Sequence, residues 1–304
     1  MIFTKEFLDV IQAQTKISNR QLIEKDLILH KILLYLSNSE DFANKYAFKG
    51  GTCLTKAYLG YFRFSEDLDF TYINQKYFEK CSKKDIRRKI NVELEKIISL
   101  LETISKKEGL LFSTEKSNSK YFEFGAGNVY TTFKIYYISL ETHKEEFIKI
   151  QINFLEKLFF NLNERSLSSL IVPSDNSLFP EKYNWVFEKP VLSCYSLEEI
   201  LSEKIRAIVT RQGVKSGDLI DVFMIQKKGS LDMSSFETEI LAKIRFSLIN
   251  DKYRVNLMSK KESIPSYRKG NEEKLLLVSL ELDFYDTFLK ELDVFLVRII
   301  GQLQ

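Results

Sequence analysis

The fold is decided by two short stretches of sequence, Phe48-Lys49-Gly50-Gly51-Thr52 and Asp67-Leu68-Asp69-Phe70-Thr71-Tyr72-Ile73. The paired glycines of the first stretch favour a sharp turn into a helix, because glycine adopts backbone conformations that other residues avoid. The second stretch alternates polar and apolar side chains, which is typical of a β-strand. The predicted order is therefore a turn, a helix that ends near Gly60, a loop and a strand.

Two carboxylates on this strand are the first candidates for a functional site. Asp67 and Asp69 are two residues apart, so both project from one face of the strand, while Leu68 and Phe70 face a core. Mg²⁺ takes one or two carboxylates and completes its shell with waters and substrate phosphates. The pair therefore suits a magnesium ion that assists phosphoryl or nucleotidyl transfer. Taken alone, however, such a pair is more often two solvated side chains beside a turn.

The upstream glycines make the assignment more specific. Free backbone N–H groups at the start of a helix bind phosphate, so Gly50, Gly51 and Thr52 are candidates for contacts to a nucleotide. A Gly-Gly pair alone is often only a turn. A Gly-Gly-Thr helix start followed by an Asp-Leu-Asp strand is more specific than either part.

Length and composition are those of a globular protein. The chain has 304 residues, of which 44% are hydrophobic and 29% charged, so it can bury one large core or two smaller ones. The formal net charge of +3 neither requires nor excludes a nucleic-acid partner. The three cysteines are widely spaced and do not form a zinc motif. We expect no membrane span and no export signal, and therefore a cytoplasmic protein.

Helical and strand periodicities continue through the chain. Apolar spacing predicts a helix from about Asn19 to Leu36 and a longer one from about Tyr77 to Lys107. The alternating stretch from Leu110 to about Phe160 predicts two to four antiparallel strands that join the sheet of the first strand. Ser196 opens a capping-box sequence, which predicts a helix through Arg211. Further helices are predicted near residues 218–226, 236–248 and 274–300.

A family resemblance rests on the run Phe48-Lys49-Gly50-Gly51-Thr52…Lys56…Tyr58…Arg63-Phe64-Ser65-Glu66-Asp67-Leu68-Asp69-Phe70. This run resembles a signature of the AbiEii/AbiGii toxin family of nucleotidyltransferases. These are toxins of AbiE-type abortive-infection and type IV toxin–antitoxin systems and are related to the mycobacterial MenT toxins. Two further runs are similar to other family signatures, so the resemblance covers nearly the whole chain. They are Glu24-Lys25-Asp26, and Glu199…Glu203-Lys204…Arg206-Ala207…Arg211…Asp218-Leu219-Ile220-Asp221.

The resemblance implies an α+β fold with a DNA polymerase β-like nucleotidyltransferase core, in which helices pack on a mixed sheet. A mostly α-helical C-terminal domain follows. We place the core domain at residues 1–185 and the helical domain at residues 186–304, with Lys204 and Asp221 contributed by the latter. The family pattern implies essential roles for Ser65, Asp67, Lys204 and one aspartate of the D-x-x-D run, of which we favour Asp221. Asp69 completes the metal pair.

The residues of the second motif support this assignment on their own. Lys204 and Arg211 are seven residues apart on the predicted helix and share a face, so two cations could meet a triphosphate there. Alternatively, Lys204 extends from an apolar stripe towards solvent. Asp218 and Asp221 are either helix-start carboxylates or groups that orient Lys204 and the nucleophile.

Two residues before the carboxylate pair also have alternative interpretations. Ser65 could place its hydroxyl over the γ-phosphate or cap a local turn. Arg63 could reach the same phosphates, although an exposed loop arginine is the commoner outcome. We group Arg63, Arg211 and Asp218 with the Gly-Gly-Thr turn as candidate nucleotide-binding residues.

One expected carboxylate is missing. Enzymes with this core often place a third carboxylate on a neighbouring strand as general base, whereas the best candidate strand offers Lys149, Gln151 and Asn153 on one face. The amide of Gln151 cannot take a proton from a 3′-hydroxyl. Either another acid such as Glu146 or Glu156 approaches the site, or metal coordination alone lowers the pKa of the hydroxyl.

We therefore expect a Mg²⁺-dependent toxin that binds a nucleoside triphosphate and transfers a nucleotidyl group to an acceptor, with the tRNA 3′ end as the first hypothesis. The rival hypotheses are transfer to a protein or small molecule, and a nucleotide-sensing toxin that binds without transfer. The family suggests GTP or CTP as the nucleotide, and a separate DNA-binding antitoxin that need not form a stable complex.

Two basic clusters suggest the RNA acceptor, since phosphate contacts supply much of the affinity for RNA. Basic runs of this kind are otherwise ordinary solvated surface. The first cluster is Lys80, Lys83, Lys84, Arg87, Arg88 and Lys89, and the second is Lys252, Arg254, Lys260, Lys261, Arg268 and Lys269 with Tyr253 and Tyr267.

Overall fold

The structure is a computed structural model that describes residues 2–125, 128–171, 179–262 and 274–303. Its helices are α1 (Lys5–Thr15), α2 (Arg20–Ser37), α3 (Glu40–Ala43), α4 (Gly50–Cys53), α5 (Lys83–Glu108), α6 (Leu197–Thr210), α7 (Ser216–Gly229), α8 (Glu237–Ser247), α9 (Asp251–Glu262) and α10 (Leu282–Gly301). A π-helix follows α4 directly, and 3₁₀-helices cover Gln75–Phe78, Glu181–Phe187 and Met233–Phe236. The strands are β1 (Tyr46–Lys49), β2 (Asp67–Tyr72), β3 (Phe122–Gly125), β4 (Tyr130–Ile138), β5 (Glu145–Asn153), β6 (Asn163–Ser166) and β7 (Val191–Cys194).

The described strands form one mixed sheet in the order β3-β4-β5-β2-β1-β7-β6. β2 lies in the centre, antiparallel to β1 and parallel to β5. The predicted α+β class, with a mixed sheet followed by a mostly helical part, is confirmed. The prediction of antiparallel strands holds for β3, β4 and β5 among themselves, but β5 joins β2 in parallel because the connection between them contains the long helix α5.

Local sequence signals explain where the two long N-terminal helices begin and end. The side chain of Asn19 accepts the N–H of Leu22 and so caps α2, as predicted. α5 ends at Gly109, which adopts the left-handed conformation with φ of 69°. The predicted start of α5 near Tyr77 is wrong, because a separate 3₁₀ turn precedes the helix and Ser82 caps it by accepting the N–H of Asp85 at 3.2 Å.

Of the two hydrogen bonds in the capping box predicted for α6, the structure forms the one accepted by Ser196. Ser196 Oγ accepts the N–H of Glu199 at 3.3 Å, as in a capping box. The Glu199 carboxylate has other partners, since it accepts the N–H groups of Phe159 and Phe160 at 2.9 Å each and pairs with Lys243. The side chains of Glu199 and Lys243 are both 0% exposed, so this residue anchors a neighbouring chain segment as well as a helix end.

The chain divides into two compact units whose segments interleave along the sequence. The sheet unit comprises Met1–Ala57, Phe64–Glu156 and Leu162–Cys194, and the helical unit comprises Tyr58–Arg63, Lys157–Asn161 and Tyr195–Gln304. The boundary predicted between residues 185 and 186 stays a prediction. Among the described helices, none combines the length and the apolar character needed to cross a bilayer.

The buried pair Glu199–Lys243 gives a stability prediction. Replacing Lys243 by Met leaves the Glu199 carboxylate buried without its cation, which we expect to lower the free energy of unfolding by roughly 3–5 kcal/mol. Lys106→Met removes a pair with Glu102 whose side chains are 74% and 36% exposed, and we expect no measurable change there. Urea unfolding followed by circular dichroism measures both variants. Equal stabilities for the two would contradict the structural role given to Glu199.

Candidate active site

The two predicted metal ligands lie side by side on β2. Leu68 and Phe70 are 0% exposed, whereas Asp67 and Asp69 are only partly buried, so the predicted division of the strand into a core face and a carboxylate face is correct. In the register of the two strands, Lys149 of β5 lies opposite Asp67 and Gln151 lies opposite Asp69. The carboxylate face therefore continues across the neighbouring strand with a cation and an amide.

Gly50 is required by the position of Asp69. Its φ is +78°, a conformation that side chains rarely adopt. A Cβ atom at this position would collide with the Asp69 Oδ2 and lie 3.1 Å from both the Cβ and the Cγ of Asp69. The helix start and the carboxylate thus approach each other so closely that only glycine fits, and this brings Gly50, Gly51 and Asp69 into one site.

Hydroxyl groups connect the helix start to the beginning of β2. Thr52 is buried, and its Oγ1 donates to the backbone oxygen of Asp67 and lies 2.8 Å from the Ser65 hydroxyl. Ser65 is therefore held beside the Gly-Gly-Thr turn. The structure brings together six of the predicted site residues in the sheet unit: Gly50, Gly51, Thr52, Ser65, Asp67 and Asp69.

Helix α2 holds two segments that follow this turn. Lys25 Nζ lies 2.8 Å from Glu66, which stands between Ser65 and Asp67 in the chain. Asp26 and Lys56 form a buried ion pair at 2.9 Å, and Lys56 lies in the π-helix Leu54–Leu59 that follows the glycines. π-helical turns occur frequently at functional sites. Two successive residues of α2 thus fix the loop before the carboxylates and the helix after the glycines.

The preceding residue of α2 fixes a third segment. Glu24 is buried and accepts the Ser139 hydroxyl and the Leu140 N–H, both at 2.7 Å. Burial raises the pKa of Glu24, while these two donors act against the rise. The sequence Glu24-Lys25-Asp26 therefore has a structural explanation that the resemblance alone did not give.

The remaining predicted residues form an ion cluster within the helical unit. Arg63 binds Asp221 through two parallel contacts of 2.7 Å, from its Nε and Nη2 to the two carboxylate oxygens. Lys204 Nζ lies 2.7 Å from Asp221 and 2.8 Å from Asp218, and Arg211 also pairs with Asp218. Arg63 is only 6% exposed, so the expectation that it is an exposed loop arginine is wrong.

Attraction between the opposite charges of this cluster offsets the cost of burying them. Burial raises the pKa of Asp221, but the charges of Arg63 and Lys204 outweigh it and hold that pKa below its ordinary value. Burial likewise lowers the pKa of Lys204, and the carboxylates of Asp218 and Asp221 more than offset it, so the pKa stays raised. Lys204 is therefore a fixed cation oriented by two aspartates and does not extend into solvent from an apolar stripe. Its predicted contact with a triphosphate stays a prediction.

Neither acid considered as a third carboxylate is a free neighbour of the pair. Glu146 alternates onto the face of the buried Ile148 and Ile150, away from Asp67 and Asp69. Glu156 is buried, accepts from Asn153 at 3.0 Å and lies 3.9 Å from Lys49. Lys49 lies on β1, opposite Asp69 of β2. Sequence reasoning missed this residue, because only the register of β1 and β2 brings it to the site.

The donor set of β2 fits a magnesium ion that arrives with a phosphate ligand. Two carboxylates on one strand face supply hard oxygen ligands, and substrate phosphates and waters complete an octahedral shell. Over the described part of the chain, no group of three or more His, Cys, Asp or Glu side chains is arranged to hold a metal. The Cys53 thiol is buried, and burial together with the neighbouring Cys194 raises its pKa, which disfavours a thiolate ligand.

Comparison with known families now identifies the chain. The family described as "Nucleotidyl transferase AbiEii toxin, Type IV TA system" matches residues 32–276. The chain belongs to the AbiEii family. It is thus a member of a nucleotidyltransferase toxin family of type IV toxin–antitoxin systems, for which an antitoxin partner is implied. The matched range includes both the Asp67–Asp69 strand and the Lys204–Asp221 cluster.

Solved structures similar to this AbiEii-family chain come from Helicobacter pylori. One is JHP933, with 17% sequence identity, 94% coverage of each chain and a TM-score of 0.43. Another was solved as a candidate nucleotidyltransferase, with 18% identity, coverage of 94% of this chain and 97% of that chain, and a TM-score of 0.44. The curated proteins contain no match.

Gly50→Ala tests the close approach of the helix start to Asp69. Gly60 has a similar φ of +71° and no atom within 4 Å of an added Cβ, so Gly60→Ala is a matched control. Both variants lose roughly 1–2 kcal/mol from the left-handed backbone, but only Gly50→Ala also displaces Asp69. We expect Gly50→Ala to be the less stable in urea and to lose Mn²⁺ and nucleotide binding, which Gly60→Ala retains. Identical binding by both variants would contradict the close approach.

The ion cluster predicts a pH-dependent stability. Asp221→Asn leaves Arg63 and Lys204 buried without their shared anion, and we expect a loss of roughly 3–5 kcal/mol at pH 7. Because the folded-state pKa of Asp221 is below 3.8, its contribution is complete above that value and is lost as the pH falls through the lower folded pKa. The difference in the free energy of unfolding between wild type and variant therefore narrows only in strong acid.

Urea titrations between pH 7 and pH 2 measure this gap. Asp286→Asn, at an exposed position of the same unit, is the control and should leave the stability unchanged throughout. A gap that stays constant down to pH 2 would show that the Asp221 charge does not stabilise the fold.

Proposed function

We propose that this AbiEii-family protein transfers a nucleotidyl group from a nucleoside triphosphate to an acceptor hydroxyl, with Mg²⁺ held by Asp67 and Asp69. The observation that carries the proposal is the enforced approach of the Gly50 helix start to Asp69. It joins backbone N–H groups suited to phosphate with carboxylates suited to a metal ion. Structural carboxylates at a turn would not need a glycine with a positive φ packed against them.

The sheet unit supplies the groups for binding the nucleotide. The turn at Gly50 and Gly51 would accept the triphosphate, and Ser65, fixed by Thr52, would donate its hydroxyl to a terminal phosphate oxygen. Bound Mg²⁺ would neutralise phosphate charge and lower the pKa of the acceptor hydroxyl. Lys204 and Arg211 stay candidate phosphate ligands because they share a helix face, and Arg63 because it is close in sequence to the carboxylate pair. GTP and CTP are the nucleotides to test first.

The transfer step can be written with the groups that remain. The acceptor oxygen attacks the α-phosphorus, an O–P bond forms, and the bond from the α-phosphorus to the bridging oxygen breaks. Pyrophosphate leaves with the electron pair, and the proton of the acceptor hydroxyl passes to water. Electrostatic stabilisation and positioning therefore carry the reaction, as in other phosphoryl transfers.

A basic surface in the sheet unit supports RNA as the acceptor. Lys83, Lys84, Arg87 and Arg88 are exposed on the first turns of α5. α5 follows the 3₁₀ turn whose Gln75 Nε2 donates to the backbone oxygens of Tyr72, the last residue of β2, and Phe154, the residue after β5. This surface and the carboxylate pair thus belong to one unit, and polyanion binding would be strongly salt-dependent.

The second basic cluster gives less support. Lys260 is buried and donates to the backbone oxygen of Ile208, and burial with the nearby charge of Arg211 lowers its pKa to about 8. Arg254 pairs with Asp251. Tyr267, Arg268 and Lys269, and the side chain of Lys261, lie outside the described residues. The proposal of a tRNA 3′ end as acceptor therefore depends on the α5 cluster.

The decisive experiment is to incubate the protein with Mg²⁺, total bacterial RNA and each α-labelled nucleoside triphosphate in turn. We expect one nucleotide to label tRNA-sized RNA, and Asp67→Asn with Asp69→Asn to abolish the label. Reversing the charge of Lys83, Lys84, Arg87 and Arg88 should weaken RNA labelling more than tenfold while nucleotide binding is retained.

The other outcomes distinguish the rival functions. Label on protein or on a small molecule would replace RNA as the acceptor while retaining nucleotidyl transfer. A third outcome is a protein that binds nucleotide but labels no acceptor, and whose Asp67→Asn variant is still toxic. Such a protein would be a nucleotide-sensing toxin that does not catalyse transfer.

A further inference from the structure

The strand beside the metal pair has an amide where a third carboxylate would stand. β5 runs parallel to β2, with Lys149 level with Asp67 and Gln151 level with Asp69. Side chains that are level on neighbouring strands project from the same face. The position next to Asp69 is therefore occupied by a neutral group that accepts no proton and carries no negative charge.

Tyr130 fixes the orientation of this amide. Its hydroxyl donates to Gln151 Oε1. Tyr130 lies on β4, level with Asn153, and β4 flanks β5 on the side opposite β2. Since the oxygen and nitrogen of an amide point in different directions, an oxygen held by Tyr130 leaves the NH₂ group of Gln151 pointing away from Tyr130. The amide therefore keeps two hydrogen-bond donors that Tyr130 does not use, on the residue that is level with Asp69.

Two lysines on the neighbouring strands also weaken the attraction of this face for a free cation. Lys149 of β5 is level with Asp67 of β2, and Lys49 of β1 is level with Asp69 of β2. The two carboxylates thus lie between two lysines, and the further acid Glu156 lies 3.9 Å from Lys49. Such a face attracts a free divalent cation less than a three-carboxylate site would.

We infer that Gln151, oriented by Tyr130, makes this a site that binds its metal ion much more tightly together with the triphosphate than alone. The inference rests on the proposed function. In this arrangement the phosphate oxygens supply the ligands that a third carboxylate would otherwise supply. The NH₂ group of Gln151 donates to an oxygen of the bound nucleotide, and Gln151 is a positioning and specificity residue for the metal–nucleotide complex.

Mn²⁺ titration followed by electron paramagnetic resonance tests the inference on the full-length protein. The probes are Mn²⁺ alone and Mn²⁺ with the α,β-methylene analogues of GTP and CTP. We expect wild type to bind Mn²⁺ at least tenfold more tightly with an analogue than without. Gln151→Glu should tighten binding of Mn²⁺ alone by at least tenfold and reduce its dependence on nucleotide.

Two further variants separate charge at this position from general effects. Asn153→Asp adds a carboxylate on the same strand face but level with Thr71, and should tighten Mn²⁺ binding much less than Gln151→Glu. Gln151→Met removes the donor without adding charge, so it should leave binding of Mn²⁺ alone unchanged and weaken binding of the analogue. Thermal unfolding establishes that each variant is folded.

The inference is overturned if wild type binds Mn²⁺ equally well with and without the analogue, or if Gln151→Glu fails to tighten binding of Mn²⁺ alone. Either result is compatible with nucleotidyl transfer in the labelling assay, so the proposed function would stand. Conversely, nucleotide-dependent Mn²⁺ binding in a protein that labels no acceptor would support this inference and contradict the proposed transfer.

Discussion

The site depends on one steric constraint, the approach of the helix start at Gly50 to the carboxylate of Asp69. A helix N-terminus and a metal-binding strand are common elements, and their combination becomes a site only when they are adjacent. Here the distance is so short that a single methyl group would fill it. The hydrogen bonds of Thr52 and the ion pairs of Lys25 and Asp26 all hold segments that meet at this approach. The sheet order supplies the remaining neighbours.

The helical unit is held together by buried charges as well as by apolar packing. The Arg63–Asp221–Lys204 cluster and the Glu199–Lys243 pair are enclosed, and both connect helices to short segments from earlier in the chain. Burying charges costs free energy unless each finds its partner with good geometry. Each of these contacts therefore fixes a segment from earlier in the chain against a helix, and removing one partner leaves the other charge buried and unneutralised.

Much of this could be predicted from the sequence, because the signals were local. Asn19, Ser196 and Gly109 marked helix ends correctly, and alternation divided β2 into a core face and a carboxylate face. The parallel pairing of β2 with β5 could not be predicted, since periodicity identifies a strand but not its neighbour. Burial of Arg63 was missed for the same reason, because its partner Asp221 is 158 residues away. The positions of Lys49 and Tyr130 also follow only from strand register.

The interleaving of the two units limits how the protein can be divided. The chain passes between the units at residues 57/58, 63/64, 156/157, 161/162 and 194/195. A fragment that stops near residue 185 would keep Arg63 and Phe159 but lose their partners Asp221 and Glu199. Expressing the halves separately would therefore not give two working modules. Both halves must be present together for these buried charges to be neutralised.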